Sequence, residues 1–157
     1  MDVHLSSPQQ TVLLARHLAG MLGSGDCLAL QGEMGAGKST FARALIRHLA
    51  GDESLEVPSP TFALVQPYDT KAGMVFHYDL WRLSGPDELY ELSWDDACES
   101  IMLVEWPERA EELMPEDALY FMFVHGRGEE ERVVTLRGWP EERLKALSAT
   151  LVEGLTP

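Results

Sequence analysis

Asparagine is absent from this 157-residue chain, lysine occurs only as Lys38, Lys71 and Lys145, and cysteine only as Cys27 and Cys98. Each scarcity excludes something. Without asparagine there can be no N-K-x-D motif to read a guanine base, and the chain also lacks a D-x-x-G motif for a GTPase switch loop. Two cysteines far apart, with no C-x-x-C and no short Cys/His cluster, indicate neither a disulfide framework nor a zinc site, and they fit a reducing compartment. Cations are few as well: 12 Lys and Arg face 26 Asp and Glu, for a formal net charge of -14 at pH 7 and a pI of about 4.6. A phosphate backbone is held mainly by Lys and Arg, so DNA and RNA are disfavoured as direct ligands, and an anionic membrane surface is disfavoured for the same reason. No apolar run approaches membrane-spanning length, and the first ten residues lack a basic stretch followed by an apolar one. The expectation is a cytoplasmic protein.

What is present suffices for one core. With 45% hydrophobic and 24% charged residues, the composition is that of an ordinary globular protein, and the length predicts a single domain over 1–157. Val12, Leu13, Ala15, Leu18, Ala19 and Met21 recur at helical spacing over 8–21, behind Ser6 or Ser7 as a cap. The short apolar run 27–31 reads as a buried strand, and Phe41, Leu45 and Leu49 predict a second helix over 38–49 stopped by Gly51. Pro58, Pro60 and Pro67 divide the next region into extended pieces, with a strand at 74–78. One or two short helices fit 87–99, and 101–105 is a second buried strand ending on a carboxylate. Segments 119–124 and 132–136, joined across Gly126-Arg-Gly128, predict a hairpin, and a helix over 140–152 closes the chain. The fold class expected is α/β: one central, mostly parallel sheet with flanking helices and a late antiparallel hairpin.

Gly32-Glu-Met-Gly-Ala-Gly37-Lys38-Ser39 fits G-x-x-x-x-G-K-[ST], and it lies where that motif has meaning, between an apolar strand and an amphipathic helix. Gly35 and Gly37 can take positive φ, which turns backbone N–H groups inward around phosphate oxygens. The following helix N-terminus, at Ser39 and Thr40, adds partial positive charge. Lys38 supplies a mobile cation to the β- and γ-phosphates of a nucleotide, and the Ser39 hydroxyl is a ligand for Mg²⁺. A second carboxylate is needed at the sheet's C-terminal edge. Glu105, after Ile-Met-Leu-Val, meets that need, against the alternative of a solvated strand-end acid. An arginine-bearing kinase lid is not evident, because Arg82 is the only Lys or Arg between Lys71 and Arg109.

Four blocks in this order resemble the bacterial TsaE (YjeE) ATPases of tRNA threonylcarbamoyladenosine biosynthesis: Gly32 to Phe41, Ser59-Pro-Thr-Phe-Ala-Leu-Val65, His77-Tyr-Asp-Leu-Trp-Arg-Leu83 and Leu103-Val-Glu-Trp-Pro107. The likeness runs over about 5–138. It implies a P-loop NTPase fold with ATP and Mg²⁺ at the glycine loop, Gly35, Ala36, Gly37, Lys38, Ser39 and Thr40 cradling phosphate. Thr61 matches a threonine of a switch-like loop, although on its own it reads as a hydroxyl in a proline-stiffened turn. Asp79 matches an acid serving hydrolysis, and alone could equally cap a strand end. Glu105 matches the Mg²⁺-binding acid, and Trp106 a tryptophan beside the nucleotide. Thr11 and Arg132 fall where members of the family contact ATP. His77 fits its block but reads as structural. Ala63, Trp81, Ser93 and Ala97 depart from the common Thr, Tyr, Gly and Tyr, and none of them touches the phosphate loop.

The resemblance implies an ATPase, slow alone, that supports N6-threonylcarbamoyl modification of adenosine 37 in tRNA with TsaB-like and TsaD-like partners, tRNA being engaged only through them. Lys38, Asp79, Glu105 and Thr61 would carry catalysis, with Ser39 and Glu105 on the metal. No arginine finger is evident near the P-loop in the sequence. Two alternatives stay open: a nucleotide-dependent interaction module with incidental turnover, and a small-molecule kinase.

Overall fold

The computed structural model describes residues 1–155, with side chains to Leu151. Seven strands form one sheet. They are β1 (Asp2–Leu5), β2 (Cys27–Gly32), β3 (Val65–Thr70), β4 (Gly73–Asp79), β5 (Ile101–Glu105), β6 (Leu119–His125) and β7 (Arg132–Arg137). Their spatial order is β1-β7-β6-β2-β5-β4-β3. The middle four, β6, β2, β5 and β4, run parallel, and β7, β1 and β3 pair antiparallel at the two sides.

Four helices are α1 (Pro8–Ala19), α2 (Lys38–Ala50), α3 (Trp94–Cys98) and α4 (Glu141–Leu155). Ser7 caps α1: its Oγ accepts the Gln10 N–H at 3.4 Å, and Gln10 Oε1 reaches back to the Ser6 N–H at 2.7 Å, a reciprocal cap that satisfies two donors. Thr11, Leu14, Ala15, Leu18 and Ala19 are the buried face, the spacing of one helical stripe. In α2, Gly37 enters and Gly51 leaves in left-handed conformation (φ 109° and 69°).

β2 shows how both faces are filled. Leu28 and Leu30 join the core under α1, α2 and α4, whereas Cys27 and Ala29 join a second core under α3 and two 3-10 segments, Pro86–Leu92 and Pro107–Leu113. A strand buried on both sides reads as an unbroken apolar run, which is why the segment is legible in the sequence. β1 and β3 were not expected as strands. β1 is four residues long and buries only Val3 and Leu5; β3 is an edge strand containing Pro67, where a missing N–H is tolerated.

The closing helix is held by Arg143. Its guanidinium donates to both oxygens of Asp26 at 2.8 and 2.7 Å and to the Met21 carbonyl at 3.0 Å, and it lies 3.6 Å from the Trp139 ring centroid. Burial raises the Asp26 pKa, but the hydrogen bonds and charge from Arg143 and the Gly23 N–H outweigh it, leaving the carboxyl below its usual range. Arg143→Ala should therefore destabilise the protein by about 2 kcal/mol, a melting-temperature loss of roughly 4–8 °C. A lowered carboxyl pKa contributes its stability above the unfolded value and loses it as pH falls through the folded one. The deficit should thus narrow in melts run progressively below about pH 4.

Candidate nucleotide site

The site is assembled where β2, β4 and β5 end on the same sheet edge. β2 delivers the glycine loop, in which Gly32, Gly35 and Gly37 have φ of 136°, 81° and 109°. These values are strained for a residue with a Cβ. The loop closes on itself through the Ala36 N–H to the Glu33 carbonyl at 3.1 Å, and α2 begins with the Phe41 N–H on the Gly37 carbonyl at 3.0 Å.

β4 and β5 contribute the acids. Their register sets Asp79 opposite Glu105, and both are nearly buried, 6% and 5% exposed. Two carboxylates facing each other out of water need donors. Asp79 Oδ2 accepts from the Ser59 hydroxyl at 3.0 Å and the Thr61 hydroxyl at 3.3 Å, and its Oδ1 accepts the Trp81 N–H at 3.1 Å. The Thr61 turn is drawn over the strand end in consequence, with the Leu64 carbonyl accepting the Asp79 N–H at 3.0 Å. Glu105 Oε2 pairs with His77 Nε2 at 2.8 Å.

Lys38 is 8% exposed, and its ammonium makes no ion pair among the described residues. It rests 4.6 Å from the Trp106 ring centroid. Trp106 is itself unusual, a non-glycine residue at φ 58° and ψ 51°, and its ring is packed by Trp81 at 4.5 Å between centroids. The turn directly after Glu105 thus carries the strain that aims an aromatic face at the lysine.

A cavity of about 330 Å³ joins these groups. It is lined by Gly35, Gly37, Lys38, Ser39 and Thr40, by Thr61, Asp79, Glu105 and Trp106, and by Thr11 and Arg132. Of the residues expected to contact the nucleotide, Ala36 does not line this cavity; it is fully buried and packs into the core under α1 and α2. Ser59 lines the same cavity as a partner of Asp79; the Ser-Pro-Thr block was its only sequence signal. Pro8, Met34 and Glu130 also line it, and nothing in the sequence marked them. Arg132, which the family resemblance set among the ATP contacts, is brought beside the P-loop by the fold: its Nη2 lies 3.3 Å from the Gly35 carbonyl, with Nη1 held by the Glu129 and Glu131 carbonyls.

Mg²⁺ suits this donor set. Among the described residues no group of three or more His, Cys, Asp or Glu is arranged to hold a metal by itself. Mg²⁺ needs no such cage, since one or two hard oxygen ligands complemented by phosphate and water are its usual protein contribution. Ser39 and Glu105 line one cavity and offer those oxygens.

The family model described as "Threonylcarbamoyl adenosine biosynthesis protein TsaE" matches residues 5–134. The chain is 40% identical over 111 residues to the tRNA threonylcarbamoyladenosine biosynthesis protein TsaE of Rickettsia felis, covering 70% of this chain and 64% of that protein. The Rickettsia conorii counterpart is covered to 63%, so the match spans slightly less than two thirds of these two relatives. The TsaE protein of Aquifex aeolicus is 40% identical over 108 residues, 69% of this chain and 77% of the relative. That of Bacillus subtilis is 31% identical over 131 residues, 82% and 80%. The crystal structure of Bacillus subtilis YdiB superimposes with a TM-score of 0.74 at 26% identity, covering 99% of this chain and 96% of that one. With its phosphate loop, facing acids and α/β sheet in that setting, the chain belongs to the TsaE family.

Proposed function

We propose that this protein is a Mg²⁺-dependent ATPase that supports N6-threonylcarbamoyladenosine formation in tRNA. The single observation that carries the reading is one cavity uniting Lys38 and Ser39 of the glycine loop with Asp79 and Glu105 across a strand register. Lys38 leaves Trp106 for the terminal phosphates, where its charge and the loop N–H groups stabilise the transferring phosphoryl. Ser39 and Glu105 would hold Mg²⁺, whose charge would offset that on the phosphate oxygens. Asp79, fixed by the Ser59 and Thr61 hydroxyls, is placed to orient a water molecule. Arg132, beside Gly35, supplies a second cation at the outer end.

The cleft mouth supports a role among other proteins. Met34 lines the cavity, Phe62 follows Thr61 and Trp81 packs on Trp106, and these apolar side chains, 90%, 81% and 50% exposed, are open to a partner protein. TsaB-like and TsaD-like proteins are the proposed partners, with tRNA reached through them and not bound by this acidic chain. Among the described residues no helix is long and apolar enough to cross a membrane.

ATP turnover measured with and without those partners and tRNA tests the proposal. Hydrolysis with water as acceptor should rise when the partners are added, and absence of any stimulation would break the link to tRNA modification. In the same assay Asp79→Asn should lower kcat by about 10²-fold, the scale of a lost proton-transfer or water-positioning group, with ATP affinity nearly unchanged. A rise in KM at constant kcat would instead make Asp79 a binding residue.

A further inference from the structure

His77 stands two residues before Asp79 on β4, so both side chains leave the same side of the strand, and its ring is 2% exposed. It lines a separate cavity of about 180 Å³ with Ser39, Arg43, Ser59 and Glu105. Its Nε2 lies 2.8 Å from Glu105 Oε2, both partners shielded from water. A carboxylate oxygen accepts, so Nε2 is the donor of this pair. Nδ1 is buried and has no hydrogen-bond partner among the described residues.

That imbalance argues against a histidine kept for packing alone. An apolar ring or chain of similar size would fill the same space without leaving a buried polar atom unmatched. Glu105, in turn, has no other side-chain hydrogen bond among the described residues, and it faces the Asp79 carboxylate across the strand pair. Without a donor on Oε2 the Glu105 side chain would be free to rotate away from its like-charged neighbour.

We propose that His77 is a positioning residue for the metal-binding carboxylate: its Nε2–H fixes Oε2 of Glu105 and thereby presents Oε1 to Mg²⁺. The inference rests on the Mg²⁺–nucleotide reading of the site. It deepens that reading by assigning a role to a residue whose sequence alone marked it as structural. Carboxylates that ligate metals are themselves commonly hydrogen-bonded by outer groups, which hold them in the orientation the ion requires.

Mn²⁺ titrated into the protein–ADP complex, with free ion followed by electron paramagnetic resonance, tests it without reference to turnover. His77→Gln can place an amide N–H near the position of Nε2, whereas His77→Asn is too short to reach Glu105. The glutamine variant should bind Mn²⁺ within about threefold of the parent and the asparagine variant about 10–100-fold more weakly. ADP affinity without metal should be the same in all three proteins. Equal Mn²⁺ affinity in the asparagine variant and the parent would overturn the proposal. So would equal weakening in both variants, which would reduce His77 to packing. If the parent–ADP complex holds Mn²⁺ no better than ADP alone, the metal reading itself fails and the inference falls with it.

Discussion

Replacing Lys38 by alanine should lower ATP turnover by about 10³-fold, the loss expected when a preorganised charge on the transition state is removed, while the melting temperature changes by only about 3 °C. The two halves of this expectation come from the same geometry. A lysine 8% exposed and lacking a carboxylate partner among the described residues is a charge held ready, not a charge that holds the fold. Its one close electrostatic contact is the Trp106 ring at 4.6 Å, and a cation over an indole contributes only about 0.5–2 kcal/mol. Phosphate is the partner that would recover the cost of its burial. Turnover and circular-dichroism melts of the variant measure both halves. If tRNA modification with the partner proteins persisted in a Lys38→Ala protein that no longer hydrolyses ATP, the nucleotide-dependent interaction module would replace the ATPase.

Gly32→Ala should do the opposite, damaging the fold before the chemistry. Gly32 ends β2 at φ 136°, and a Cβ there would lie 2.4 Å from the Phe123 carbonyl oxygen and 3.1 Å from the Phe123 Cβ. The register sets Gly32 opposite Phe123, whose ring is fully buried and meets Phe41 of α2 at 5.8 Å between centroids. Backbone oxygen cannot swing aside as the end of a side chain can, so β6 or the loop must move. A loss of about 3 kcal/mol is expected from strain plus overpacking, or roughly 6–12 °C in melting temperature. Gly35→Ala is the control: φ is 81° there, but nothing lies within 4 Å of the added carbon. Only the backbone penalty of about 1–2 kcal/mol applies. Equal melting temperatures for the two variants would show that the close approach to Phe123 carries no weight.

The comparison between sequence and structure is instructive at particular residues. The glycine loop, α2 behind it and the Glu105 strand were legible because each is a local pattern: a fixed spacing, a helical stripe, an apolar run ending on an acid. The mostly parallel sheet followed from strands separated by helices, although the three outer strands pair antiparallel. β1 left too short a pattern to register, since two buried positions acquire meaning only when β7 lies beside them. Ser59 illustrates the same limit at the site, and Arg132 was marked there by the family resemblance and by no local pattern. The Ser59 hydroxyl becomes a donor to Asp79 only through a contact 20 residues away, and Arg132 meets Gly35 across 97. No spacing rule encodes the left-handed backbone of Trp106, which depends on how the chain leaves β5.

The strand order has a consequence for synthesis. β2 is made early, but its neighbours are β5 and β6, with Gly32 paired to Phe123, and β1 waits for β7, with Asp2 opposite Thr135. At about 5–20 residues per second the ribosome delivers Thr135 roughly 7–27 s after Asp2. Until β6 arrives, the strand carrying the phosphate loop has an open edge and unburied leucines, and the loop has no scaffold to hold its glycines in their strained conformations. Nascent chains should therefore gain the ability to retain ATP abruptly, once β6 (Leu119–His125) has been translated, and before that point they present an apolar parallel strand of the kind chaperones shield.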